Sequence, residues 1–185
     1  MKCLRVQLLV LLGLCVFVSP ALADKPVSVM LLPGVGVPVG GEWGGKYKSS
    51  LFVGADNEIR WTDRWASGGM LGYFFGHTDG KELKREFKNL VINAYAKYYA
   101  PPVGSFEFYG LLGAGIYFVN YDDDAAVPDV DDATKRYFGY MAGVGVNRRL
   151  AEHWSIGLDC RLHQIFRQQF VLTTLTPALS LKADF

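Results

Sequence analysis

Few residues of this chain have the types and spacing to do chemistry, and each such set is incomplete. His77, His153 and His163 are its three histidines. A histidine base needs a nucleophile to activate and an acid to orient it. Two residues beyond His163 stands Ile165, and no glutamate follows. His77 falls in a long connection between alternating segments and His153 in a short turn, so no catalytic residue is expected and the chain reads as a non-enzyme. Asp122, Asp123, Asp124, Asp129, Asp131 and Asp132 crowd one stretch. That density suits either Ca²⁺, which takes several oxygen ligands, or a solvated loop. The stretch lacks the glycine and distal glutamate of an EF-hand, so no metal or cofactor is expected. Gly34, Gly36, Gly40 and Gly41 are followed by no strand-to-helix turn and make no phosphate loop.

Two sets of charged residues do recur regularly. Glu58, Arg60, Glu107, Asp159, Arg161 and Lys182 lie on one parity of alternating segments. They carry both signs, which suits an enclosed interior where a charge is tolerated only when paired. Lys46, Lys48, Lys84, Arg85, Lys88, Lys135, Arg136 and Arg167 gather at the ends of the longer connections. Such a rim could hold phosphate groups through charge-assisted contacts or serve solubility alone.

The first residues bound the compartment. Lys2 and Arg5 precede an apolar run from Leu8 to Val18, then Ser19-Pro20 and the small-residue site Ala21-Leu22-Ala23. This is the pattern of a secretory signal peptide, and cleavage is expected after Ala23. The run is too short for a spanning helix. Cys15 invites a lipoprotein reading, but Leu14 before it is bulky where processing needs a small residue. The domain reading is therefore residues 1–23 as signal peptide and 24–185 as a single domain. Removal of the leader takes two of the 19 basic residues and none of the 18 acidic ones, which leaves the mature chain near neutral. A nucleic-acid binder would show a basic excess, so no nucleic-acid partner is expected. Cys160 remains alone and the fold must stand without an internal disulfide.

No later apolar run approaches the ~20 residues of a membrane helix. Alternation at period two appears instead. Phe106, Phe108, Leu112, Ala114, Ile116 and Phe118 oppose Glu107, Tyr109, Gly113, Gly115 and Tyr117. The same pattern sets Leu51, Val53, Ala55, Ile59 and Trp61 against Asp56, Glu58 and Arg60, and sets Trp154, Ile156, Leu158, Cys160 and Leu162 against Ser155, Gly157, Asp159, Arg161 and His163. Eight strands are predicted near 27–37, 50–61, 65–76, 87–99, 105–119, 135–148, 154–166 and 172–185. Long connections at Pro38 to Ser49, His77 to Glu86 and Asn120 to Thr134 alternate with short ones at Thr62 to Arg64, Ala100 to Gly104 and Arg149 to His153. Long loops on one rim and short periplasmic turns on the other are the arrangement of bacterial outer-membrane barrels. Trp61, Trp65, Tyr98, Tyr99, Trp154 and Phe185 stand near strand ends, as an aromatic girdle requires. The fold class read from these features is all-β: an eight-stranded antiparallel transmembrane β-barrel in an up-and-down meander.

The last strand, Leu175 to Phe185, ending Lys182-Ala183-Asp184-Phe185, resembles the C-terminal signal by which the barrel-assembly machinery recognises outer-membrane barrels. Tyr109 to Gly115 and Gly139 to Val146 are similar to the glycine-rich central strands of small outer-membrane β-barrel proteins of the OmpW-like and OmpX-like group. The resemblance covers the mature chain. It implies the cell outer membrane as location and its lipids and lipopolysaccharide as surroundings. It leaves three roles open: a structural or surface-interaction barrel, a narrow channel for small hydrophobic molecules, or a lipid A acyl hydrolase. The last lacks its serine two residues after His163.

Overall fold

The computed structural model describes residues 26–40, 47–78, 85–123, 134–167 and 170–185. They form eight strands: β1 Val27–Gly40, β2 Ser50–Arg60, β3 Trp65–Thr78, β4 Arg85–Tyr99, β5 Phe106–Asp123, β6 Lys135–Arg149, β7 Trp154–Arg167 and β8 Phe170–Asp184. Each pairs antiparallel with its chain neighbours, and β1 closes on β8. The predicted meander is the observed one. No helix among the described residues is long and apolar enough to cross a membrane, and the chain crosses with its strands instead.

Alternation decides which way each side chain points. Along β5, Tyr109, Leu111, Tyr117 and Val119 are buried while Phe108, Leu112 and Ile116 are exposed, Leu112 by 70%. Leu51 on β2 is 66% exposed and Val144 on β6 also 66%. A continuous belt of exposed large apolar side chains is tolerable only against lipid. Inside, the reverse holds: Asp56, Glu58, Lys97, Asp159, Arg161 and Lys182 are buried. The polar face is the interior, as the two-signed charge pattern implies.

Several details differ from the sequence reading. The strands continue past the apolar belt: His77, Thr78, Arg85, Glu86 and Asn120 to Asp123 belong to strands, not loops. The connection between β3 and β4 shrinks to residues 79–84, no longer than the turn at 100–105. Between β7 and β8 stand only residues 168 and 169, so Arg167 is a strand residue. Tyr99 does not join the girdle: it is buried in the lumen, while its neighbour Tyr98 faces out. Trp61, Trp65, Trp154 and Phe185 are exposed at the end where both termini of the barrel lie, as expected.

Two irregularities shape the barrel. The β3–β4 register shifts between Phe74 and His77, and Gly76 there has φ 137°, a conformation side chains resist. The shift turns both Phe74 and His77 inward. At the closing seam, whose register shifts between Pro38 and Gly40, Leu31 pairs with Leu181 and the ladder resumes at Gly34 with Ala178 and at Val37 with Leu175. Pro33 and Pro177, which have no N–H to give, stand at these gaps.

Candidate functional site: the filled lumen and its two rims

β2 supplies the hub of the interior. Its inward residues Asp56, Glu58 and Arg60 each reach across the lumen to a different set of strands. Arg161 of β7 donates to both oxygens of Asp56, Nη2 to Oδ2 at 2.6 Å and Nη1 to Oδ1 at 3.1 Å. It also donates from Nε to Asp159 Oδ1 at 2.8 Å and from Nη2 to Asp159 Oδ2 at 3.0 Å. The guanidinium is thus gripped by two carboxylates in the planar, two-pronged geometry that suits it. The Tyr109 hydroxyl donates to Asp159 Oδ2 at 2.7 Å.

One layer toward the terminal end, Glu58 takes the Lys97 ammonium at 2.5 Å, the Lys182 ammonium at 3.6 Å and the Tyr99 hydroxyl at 2.6 Å. Lys182 also meets Asp184 at 3.1 Å. Arg60 pairs with Glu107 at 3.3 Å while its guanidinium lies over the Tyr99 ring, 3.9 Å from the centroid. Asp56, Glu58, Glu107 and Asp159 thereby offset Arg60, Lys97, Arg161 and Lys182. All six residues of the expected interior cluster are in it. Asp56 and Lys97 complete it. Asp56 was legible on the polar parity of β2. Lys97 was not, because the inner face of β4 mixes Phe87, Val91 and Tyr95 with Asn89 and Asn93 and so shows no clear polar parity.

The opposite half of the lumen is aromatic. His163 Nδ1 lies 3.0 Å from the Tyr117 hydroxyl, which also accepts from Asn93 Nδ2 at 3.0 Å. His77 donates from Nδ1 to the Lys48 carbonyl at 3.0 Å, which leaves Nε2 to accept from the Ser50 hydroxyl at 3.1 Å. Its ring stacks on Phe87 at 4.6 Å and lies 5.7 Å from Phe74. Phe52 and Phe74 fill the space between the two histidines. Ser50 stands beside His77, but among the described residues neither histidine is hydrogen-bonded to an orienting carboxylate. Cys160 is half-buried on the outer face, at the lipid-facing parity expected of it. Among the described residues no group of His, Cys, Asp or Glu could hold a metal ion. Asp124, Asp129, Asp131 and Asp132 lie outside the described residues.

The rim cations divide. Lys46 and Lys84 lie outside the described residues, and for Arg85 and Arg167 only the strand position is described. Lys48, Lys135 and Arg136 are exposed and Lys88 is half-buried. By register Lys88 and Arg136 belong to the lipid-facing parity and Lys135 to the inner one. Among the described members, Lys88 and Arg136 thus face outward and Lys135 inward.

A closed, charge-filled meander with an apolar exterior defines the class: a small transmembrane β-barrel. Residues 8–184 match the family of outer membrane protein beta-barrel domains, and the chain belongs to that family, whose place is the cell outer membrane. No curated protein sequence matches it significantly. Among solved structures it is similar to Neisserial surface protein A, at 10% identity over 87% of this chain and 97% of that one, with a TM-score of 0.62. It is also similar to the outer membrane protein OprG from Pseudomonas aeruginosa, at 16% identity over 87% and 96%, with a TM-score of 0.58. A third is Ail, the attachment invasion locus protein of Yersinia pestis, solved with the heparin analogue sucrose octasulfate: 13% identity over 86% and 99%, TM-score 0.56. At such identities these likenesses show the fold alone.

Proposed function

We infer that the protein is a non-enzymatic barrel that acts through its outer face and extracellular rim, by stabilising the envelope and by contact with lipopolysaccharide, and not through its lumen. The observation that carries this reading is the cross-paired interior. Eight strands enclose just enough room for side chains, and here the ion pairs of Arg161 with Asp56 and Asp159 and of Glu58 with Lys97 and Lys182 occupy it. A narrow route for small hydrophobic molecules would require Phe52, Phe74, His77 and Phe87 to part. That Ile165 stands where the acyl-hydrolase pattern has its serine supports the non-enzymatic reading. In this reading residues 1–23 are removed after Ala23 during export, and the strand ending in Phe185 is presented to the barrel-assembly machinery.

The purified barrel in planar bilayers is expected to show no large, stable conductance. A steady open level at neutral pH would sink the closed-lumen reading. The orientation is tested on intact cells. Cysteines introduced at Glu42, Asp79 and Asp124 in a Cys160→Ser background should react with an impermeant reagent. Those at Asp63 and Pro102 should not, and the opposite pattern would invert the topology.

A further inference from the structure

The outer face of β6 carries an arginine near each end, and each lies over a phenylalanine of β5. Arg136 stands over the Phe118 ring, 5.7 Å from its centroid, and Arg148 over Phe106 at 5.8 Å. Each is the register partner of the ring it covers, and both are exposed. From position 136 to 148, at ~3.3 Å per residue and ~40° of tilt, the rise is about 30 Å, slightly more than the ~25 Å apolar belt of such barrels. The two guanidinium groups therefore mark the two membrane faces. Among the described residues neither takes part in an ion pair with a carboxylate.

Their surroundings differ. Beside Arg136 lies a shelf of rings open to lipid. Phe138, 60% exposed, stacks on Phe166 with the planes 12° apart, and Tyr140 lies 5.2 Å from Phe166. On the same outer face near Arg148 stand Val146, Ile156, Phe108 and Trp154, but among the described residues no two rings there stack as Phe138 and Phe166 do. Arg136 thus joins an available, ring-held guanidinium to a broad rigid apolar surface. Such a surface suits acyl chains, and the guanidinium, held by its ring, suits a phosphate. The occupant must carry both at one membrane face.

We propose that the outer face of β5, β6 and β7 is a defined site for one phosphorylated, multiply acylated glycolipid of the outer leaflet, lipopolysaccharide. Arg136 takes a phosphate, and Phe138, Tyr140 and Phe166 carry the acyl chains. The inference rests on the rim reading above and narrows it from a diffuse set of cations to one side of the barrel. Arg148 is its built-in control, with the same pairing at the other membrane face and no stacked rings beside it.

The test is thermal unfolding of the full mature protein in neutral-detergent micelles, with lipopolysaccharide or phosphatidylglycerol added. Lipopolysaccharide should raise the Tm of the parent protein, and phosphatidylglycerol should raise it much less. Arg136→Gln should cut the lipopolysaccharide-induced rise to roughly half or less, as loss of a charge-assisted phosphate contact requires. The pair Phe138→Ala and Phe166→Ala should do the same, Arg136→Lys should keep part of the rise, and Arg148→Gln should keep all of it. Equal losses for Arg136→Gln and Arg148→Gln, or equal rises with the two lipids, would overturn the site and leave only a charged surface. No rise in the parent protein would overturn the rim reading itself.

Discussion

Replacing Arg161 by methionine should destabilise the barrel by about 3–5 kcal/mol, the cost of leaving a buried partner charge without its counter-ion. The magnitude follows from what remains. Asp56 and Asp159 are 2% and 3% exposed, and both aim at the vacated space. Methionine nearly fills the volume, so the loss reports charge and not a cavity. Urea unfolding in lipid vesicles, followed by tryptophan emission, measures it. The decisive comparison is the triple variant Asp56→Asn, Asp159→Asn, Arg161→Met, which has no buried ions in this layer. It should recover most of the lost stability, because replacing a whole ionic group is far less costly than breaking one. A triple variant as unstable as the single one would show that the arginine holds the barrel by packing and not by charge.

The parts of the fold that the sequence displays are those imposed by the bilayer. Lipid demands an apolar side chain at every second position, so strands such as Phe106 to Phe118 and Trp154 to Leu162 announce themselves. The interior imposes no such uniform demand. It accepts Phe87, Val91 and Tyr95 as readily as Asn89, Asn93 and Lys97, and the mixed inner face of β4 therefore gives its lysine no clear signal. Strand ends are hidden for a related reason. Above the hydrocarbon a strand needs only its backbone ladder, so His77, Thr78 and Asn120 to Asp123 read as loop yet continue the sheet. Tyr99 shows the limit of reading residue type without parity. It stands next to Tyr98 at the same strand end, but one step along a strand reverses the face, and it serves Glu58 instead of the membrane interface. The pairing partners across the lumen, Asp56 with Arg161 above all, depend on barrel closure and have no local signal.

Gly145→Ala should cost about 2–4 kcal/mol, an unusually large effect for one added methyl group. Gly145 sits on β6 between Tyr109 of β5 and Asp159 of β7, and is the register partner of both. The tyrosine lies across the glycine backbone to deliver its hydroxyl to Asp159, and a Cβ at position 145 would fall on the Tyr109 ring and hydroxyl. The methyl must push the ring aside. That introduces overpacking and withdraws a donor from a buried carboxylate, a loss of about 1–3 kcal/mol by itself. Gly110 is the matched control, because an added Cβ there meets only the Gly143 carbonyl, at 3.9 Å. Gly110→Ala should leave the urea midpoint almost unmoved. Tyr109→Leu placed on Gly145→Ala should relieve the overlap and recover part of the loss, although Asp159 still lacks its hydroxyl donor. Equal midpoints for Gly145→Ala and Gly110→Ala would show that Tyr109 can reach Asp159 by another path, and that the glycine is not what lets the hydroxyl cross β6.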